Sequence, residues 1–219
     1  RRLGLTKPYV PDLPAILRTV DSPAYRTLSE EIAARALTLV REEEGALPLD
    51  AALRILHVVI VDDATITGPA APLTDELLRR TSGATHRPVL TLRLDPRSSA
   101  VDVAEILDSS RDADLVLVSF FVKARSGSGR IAVPQAARDA IPALLELRKK
   151  IVAVSYGSPY LLREFPGLPT YICAYGGQEI AQVAAARALF GEAAFGGHLP
   201  VTIPDAAPRG TGILKAATR

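Results

Sequence analysis

The sequence predicts an α/β fold, a three-layer α/β sandwich with a largely parallel sheet, preceded by a linker helix. Three observations predict it. From about residue 50 onward, short apolar runs alternate with helical patterns, which is how a parallel sheet with helices on both sides reads. Several of those runs are apolar on successive residues, as strands buried on both faces require. The chain has 219 residues and 48% hydrophobic content, enough for one large domain with an appendage. A chain of that size buries about 70% of its unfolded surface and needs no disulfide or metal staple. The same apolar content excludes intrinsic disorder.

Residues 1–21 carry Pro8, Pro11 and Pro14 with no apolar period, which predicts an extended crossing segment. Ser22-Pro23 supplies an N-cap and a first helical residue. Leu28, Ile32, Ala36, Leu39 and Val40 follow at helical spacing, so one helix is expected over 23–44, ended by Gly45. Strands are expected at 54–61, 89–94, 115–122, 151–155 and 170–174. Helices are expected at about 74–81, 100–110, 135–149, 159–164 and 178–190. Pro142 should kink or split the third of these, and Gly191 should end the last. The expected division is a linker with one helix over 1–49 and the sandwich over 50–219.

Charge narrows the partners. Of the 26 basic residues 21 are Arg, scattered among 24 acids, and aromatics make up only 5% of the chain. A nucleic-acid binder shows a basic face with aromatic platforms, so no nucleic-acid partner is expected. The longest basic cluster, Arg148-Lys149-Lys150, falls where a helix should end and suits the negative end of its dipole. The single Cys173 excludes an intrachain disulfide framework. No apolar run approaches the roughly 20 residues of a bilayer span, and no secretory signal is visible. A chain that opens Arg1-Arg2-Leu3 and contains no Met is expected to be a piece of something longer.

Much familiar chemistry is missing. His57, His86 and His198 have no metal-ligand spacing, so neither a metal nor another cofactor is expected. Cys173 lies in an apolar run, where an inert buried thiol is the default. No G-x-S-x-G elbow occurs. Gly127-Ser128-Gly129-Arg130-Ile131-Ala132 fits G-x-G-x-x-A after a strand, but Pro134 delays the helix and strand 151–155 ends without a carboxylate. A loop at a strand's C-terminal edge is the better reading than a dinucleotide site. Gly157-Ser158-Pro159 and Gly176-Gly177-Gln178 are two further strand-to-helix turns, with Ser158 placed to cap a helix. The second exposes a helix N-terminus that suits an anion or a sugar hydroxyl, although a tight turn explains it more simply.

Four segments then occur in order: Val154-Ser155-Tyr156-Gly157-Ser158-Pro159-Tyr160; Ala174-Tyr175-Gly176-Gly177-Gln178-Glu179; Ala188-Leu189-Phe190-Gly191-Glu192; and Gly197-His198-Leu199-Pro200-Val201-Thr202-Ile203-Pro204. The series resembles the C-terminal α/β sandwich domain of glycoside hydrolase family 3. Ala36-Leu37-Thr38-Leu39-Val40-Arg41 through Leu47-Pro48-Leu49 resembles that family's linker helix and entry into the domain. One departure is His198, where the family usually carries Arg or Lys.

The resemblance implies a two-domain retaining glycosidase in which a TIM-like barrel precedes the sandwich. An Asp on the barrel attacks the anomeric carbon and a second group protonates the leaving oxygen. This chain has no such Asp motif in that context, since Thr74-Asp75 falls at an expected helix start and reads as a cap. No catalytic residue is therefore assigned here, and the isolated chain is expected to be inactive. In the β-glucosidase branch the acid is a Glu in the loop after strand 115–122. Here that loop reads Lys123-Ala124-Arg125-Ser126-Gly127-Ser128-Gly129-Arg130, without a carboxylate. In the β-N-acetylhexosaminidase branch a barrel His takes the role, so the loop favours that branch. Within it, Lys123, Arg125, Ser126 and Arg130 are the candidate contacts to a carbohydrate substrate, with a solvated loop as the alternative. A β-glucosidase-like enzyme and a non-catalytic carbohydrate-binding or scaffold module remain open.

Overall fold

The computed structural model describes residues 11–20, 22–43, 45–82, 89–123 and 131–218. A short helix α1 (Leu13–Val20) leads to helix α2 (Pro23–Ala36), and the chain then enters strand β1 (Thr38–Arg41). There follow β2 (Ile55–Val61), α3 (Ala71–Thr81), β3 (Val89–Leu94), α4 (Ala100–Asp112), β4 (Leu115–Phe121) and α5 (Gln135–Glu146). The series ends with β5 (Ile151–Ser155), α6 (Leu161–Glu164), β6 (Thr170–Cys173) and α7 (Glu179–Leu189).

The six strands lie in the order β1-β6-β5-β4-β2-β3. All pairs are parallel except β1 with β6, which is antiparallel with an irregularity between Leu39 and Arg41. Strands β2, β4, β5 and β6 are buried at every position, because helices cover both faces. On one face Leu56, Val58, Ile60, Val118 and Phe120 meet α4, α5 and α6. On the other, Ile55, Val59, Leu117, Val154 and Ile172 meet α3 and α7. The chain leaves β2 toward β3 on one side, and from β4 onward it proceeds toward the opposite edge. The connections on the two sides use opposite faces, as right-handed crossovers demand.

The five expected parallel strands are present and the expected fold class is the observed one. Four local expectations are corrected. The helix starting at Pro23 stops at Ala36 instead of running to 44, and Leu37 to Val40 are buried in the sheet and beneath it. Residues 13–20 are helical, not extended: Pro14 sits in the first turn, where its missing N–H costs nothing, and Asp12 Oδ1 accepts the Ala15 N–H at 3.1 Å. Thr74 lies inside α3 instead of capping it. Pro142 is carried within a continuous α5.

Several smaller expectations are met. Ser22 Oγ accepts the Tyr25 N–H at 3.3 Å with Pro23 opening α2. Gly191 ends α7 with φ of 75°, and the Gly191 and Glu192 N–H groups return to Ala188 and Arg187 carbonyls. Lys149 Nζ donates to the Arg111 and Ala113 carbonyls at the end of α4, so this part of the basic cluster serves a helix terminus, though a neighbouring helix's.

Beyond α7, residues 195–218 run back along β1. Gly197 N–H donates to Leu37 O at 2.9 Å and Ile213 N–H to Leu39 O at 2.7 Å. Phe195 and Lys215 exchange backbone bonds, and Lys215 Nζ pairs with Glu42 Oε1 at 2.5 Å. This strap occupies the outer edge of β1, which is one way an edge strand is kept from pairing with another molecule.

Candidate functional site

Parallel sheets place ligands at the C-terminal ends of their strands, beside the point where strand order reverses. Here that point lies between β2 and β4, and a cleft of about 730 Å³ opens along the same edge. Each wall is set by a local cause.

The β2 wall is the 62–70 connection. Asp62 is buried, and its Oδ2 accepts the Lys123 N–H at 3.3 Å. Asp63 Oδ1 accepts from the Thr65 N–H and hydroxyl, closing the turn. Two arginines at the end of β3 then hold the loop: Arg93 Nη1 donates to Ile66 O at 2.6 Å, and Arg97 Nη2 to Ala64 O at 2.8 Å. Both pair with Asp95, whose carboxyl lies below its usual range because the Arg97 N–H and the two guanidiniums outweigh its desolvation.

The β5 wall begins at Tyr156, whose N–H donates to Phe120 O at 2.9 Å. Gly157 must be glycine, since a Cβ there would run into the Val122 carbonyl. Ser155 Oγ donates to Ser158 O at 2.8 Å, and Ser158 Oγ accepts the Tyr160 N–H at 3.3 Å. Ser158 thus caps the turn leading into α6, two residues before the helix's own N-cap position at Tyr160. The Tyr156 ring stacks on Phe121 with centroids 4.7 Å apart. Its hydroxyl is buried with no hydrogen-bond partner among the described residues, and burial pushes its pKa up.

The β6 wall is Tyr175-Gly176-Gly177-Gln178. Gly177 lies against Phe121, where a Cβ would be 3.2 Å from the ring. Gln182, fully buried on α7, donates to Pro69 O and Gly177 O at 2.8 Å each and accepts the Leu73 N–H at 3.1 Å. One amide side chain therefore ties the start of α3 to the start of α7. Neither helix has a side-chain N-cap, but the first turn of α3 is satisfied: the Ala71 N–H returns to Gly68 O, Pro72 has none, and the Leu73 N–H goes to Gln182.

Of the expected substrate contacts, Lys123 lines this cleft and is exposed. Arg125, Ser126 and Arg130 lie outside the described residues, as do the glycines of the G-x-G-x-x-A motif. Helix α5 begins only at Gln135, after Pro134. The cleft's aromatic walls, Tyr156, Tyr160 and Tyr175, were not singled out as site residues from the sequence. Their one common signal is position, just after an apolar strand. His57 and Cys173 are buried away from the cleft; burial lowers the His57 pKa to about 3 and raises the Cys173 thiol to about 12. Among the described residues no group of three or more His, Cys, Asp or Glu is placed to hold a metal, and no helix is long and apolar enough to cross a membrane.

A second groove, of about 600 Å³, separates α2 from α7. Helix α2 has no buried residue. Of the thirteen large hydrophobic residues exposed among the described ones, six (Leu13, Ile16, Val20, Tyr25, Leu28 and Ile32) belong to α1 and α2. This arm presents apolar surface out of proportion to its length.

A family model described as the glycosyl hydrolase family 3 C-terminal domain matches residues 19–214. Among solved structures, a fungal multi-domain GH3 β-N-acetylglucosaminidase superposes with a TM-score of 0.68 at 22% identity, over 88% of this chain and 21% of that one. The β-glucoside phosphorylase BglX bound to 2FGlc gives 0.67 at 24% identity, over 90% of this chain and 34% of that one. A GH3 β-N-acetylglucosaminidase from Paenibacillus sp. str. FPU-7 gives 0.63 at 20% identity, over 95% and 36%. At these identities the likeness is one of fold. The chain spans roughly a fifth to a third of these proteins' lengths. No curated protein sequence matches it.

Proposed function

The chain belongs to the glycosyl hydrolase family 3 C-terminal domain family, and on that premise we propose that it is the sandwich half of a retaining β-N-acetylhexosaminidase. The substrate class is a terminal β-linked N-acetylhexosamine, and the nucleophilic Asp belongs to a preceding barrel. One observation carries the choice of branch: no Asp or Glu is found among the described residues lining the cleft. A sandwich that supplied the general acid would need a carboxyl group at this edge, in reach of the leaving oxygen. Asp62, the nearby acid at the end of β2, is buried and engaged by the Lys123 N–H.

In this reading the cleft supplies binding only. Tyr160 and Tyr175 offer ring faces to a sugar, Gln178 offers an amide, and Lys123 offers a positive charge to the carbohydrate. In sequence the loop goes on through Arg125, Ser126 and Arg130, and these residues would add to that basic character. Residues 1–49 link the two domains, with 50–219 as the sandwich proper, and the barrel covers the apolar face of α1 and α2.

The test is the parent protein, barrel included, assayed on aryl β-N-acetylglucosaminide and aryl β-glucoside. The expected kcat/KM favours the N-acetyl substrate by at least about tenfold, or roughly 1.4 kcal/mol of differential transition-state binding. A preference for the glucoside would move the chain to the β-glucosidase-like branch. Silence on both, from a folded parent, would leave a non-catalytic carbohydrate-binding or scaffold module.

A further inference from the structure

Three described non-glycine residues have φ in the left-handed region, and of these only Tyr175, at 61°, lines the cleft. The Gly176 N–H returns to Ala174 O at 2.8 Å, which closes a γ-turn about Tyr175. A γ-turn with positive φ is rare and strained. Such a conformation persists only where its surroundings over-determine it, and it is commonest at functional sites.

What holds Tyr175 is a chain of hydroxyls. Its Oη donates to Thr38 Oγ1 at 2.8 Å, and Thr38 Oγ1 donates to Ala36 O at 3.0 Å. Ala36 is the last residue of α2. Burial pushes the Tyr175 hydroxyl up to about 12, so it remains a donor at neutral pH. The strap closes the same joint from outside: Gly197 donates to Leu37 O, and any Cβ at Gly197 would crowd Ala36 O, Leu37 O and Thr38 Oγ1 together. Away from this joint α2 is loosely held, with no buried residue and an open groove between it and α7.

We propose that Tyr175 is a positioning residue that latches the arm: through Thr38 it fixes the direction in which α2 leaves the sheet, and its ring makes that direction and the cleft's shape one variable. The importance of the latch for an attached domain rests on the function proposed above, but the latch itself does not need that domain.

The experiment uses the 219-residue chain with spin labels introduced through Leu28→Cys on α2 and Val101→Cys on α4. Both positions are exposed, while native Cys173 is fully buried and escapes labelling. Pulsed dipolar spectroscopy should give a narrow distance distribution in the otherwise unchanged chain. Tyr175→Phe and Thr38→Val should each broaden it roughly twofold, and the double variant should be no broader than Thr38→Val alone, which already removes the Tyr175–Thr38 bond. Thr38→Ser, which keeps the hydroxyl, should restore the narrow distribution. A purely structural role would lower Tm without broadening, so unchanged widths in folded variants overturn the latch. If Tyr175→Phe does not fold, the comparison of Thr38→Val with Thr38→Ser decides alone. A parent protein inactive on both aryl glycosides would remove the proposed function and leave this result intact.

Discussion

His57 shows what a single buried titratable group does to this fold. It sits on β2 with no exposure, Nε2 2.9 Å from Ser119 Oγ and Nδ1 3.3 Å from Thr74 Oγ1. Desolvation lowers its pKa from 6.5 to about 3, so the folded protein holds the ring neutral. The unfolded chain takes up this proton first as pH falls. The stabilisation from the neutral ring is therefore complete above about pH 6.5 and is lost as pH falls from there toward 3, by up to about 1.4 kcal/mol per pH unit. Thermal melts should show a level Tm between pH 8 and 7 and a decline beginning near pH 6.5, above the range where carboxylates titrate. In His57→Gln the decline between pH 6.5 and 5 should flatten, although the starting Tm is lower. A wild-type Tm that stays level down to pH 5 would contradict this account.

At the scale of elements, local signals decided what was readable in the sequence. The five parallel strands are legible because burial on both faces leaves continuous apolar runs such as Ile55–Val61 and Leu115–Phe121. Strand β1 is not, because Leu39 and Val40 continue the helical spacing of Leu28, Ile32 and Ala36. The break comes from one backbone change at Leu37, where ψ is 118°, and from a partner strand far along the chain, with Thr38 opposite Cys173. The candidate site divides the same way. Lys123 follows directly from the end of an apolar run, whereas Tyr156, Tyr160 and Tyr175 converge from two further strand ends and only the folded sheet brings them to one cleft. Helix α4 shows the opposite case, a start that is local throughout. Ser99 Oγ accepts the Val101 N–H, and Asp102 Oδ2 accepts the Ser99 N–H at 2.6 Å, forming a capping box. Ser99→Ala should cost about 1 kcal/mol, read as a shift in denaturation midpoint with unchanged m-value. No shift would mean that tertiary packing alone sets this helix start.

For the whole molecule, the two ends of the chain contribute unequally. Among the residues whose side chains are described, helices α1 and α2 bury none, so a chain beginning at Leu37 should unfold cooperatively with a midpoint little changed. The strap contributes Phe195, Leu199 and Ile203 to the two cores and seals β1 through Leu37 O and Leu39 O. A chain ending at Ala194 should lose cooperative unfolding or aggregate, since it exposes both apolar surface and a bare strand edge. Calorimetry and size-exclusion chromatography of the two truncations distinguish these outcomes, and equal damage from both would refute the asymmetry.

The reversal of strand order between β2 and β4 has a consequence for how such a domain changes over time. On that edge the walls have ties of their own: Arg93 and Arg97 hold the 62–70 loop, Gln182 joins the starts of α3 and α7, and β4 is paired with β2 along its whole length. Walls tied in this way would keep their places if the loop sequence between them changed. Under the function proposed above, a general acid would be gained or lost at this edge by a change of loop sequence alone, with the sheet left as it is.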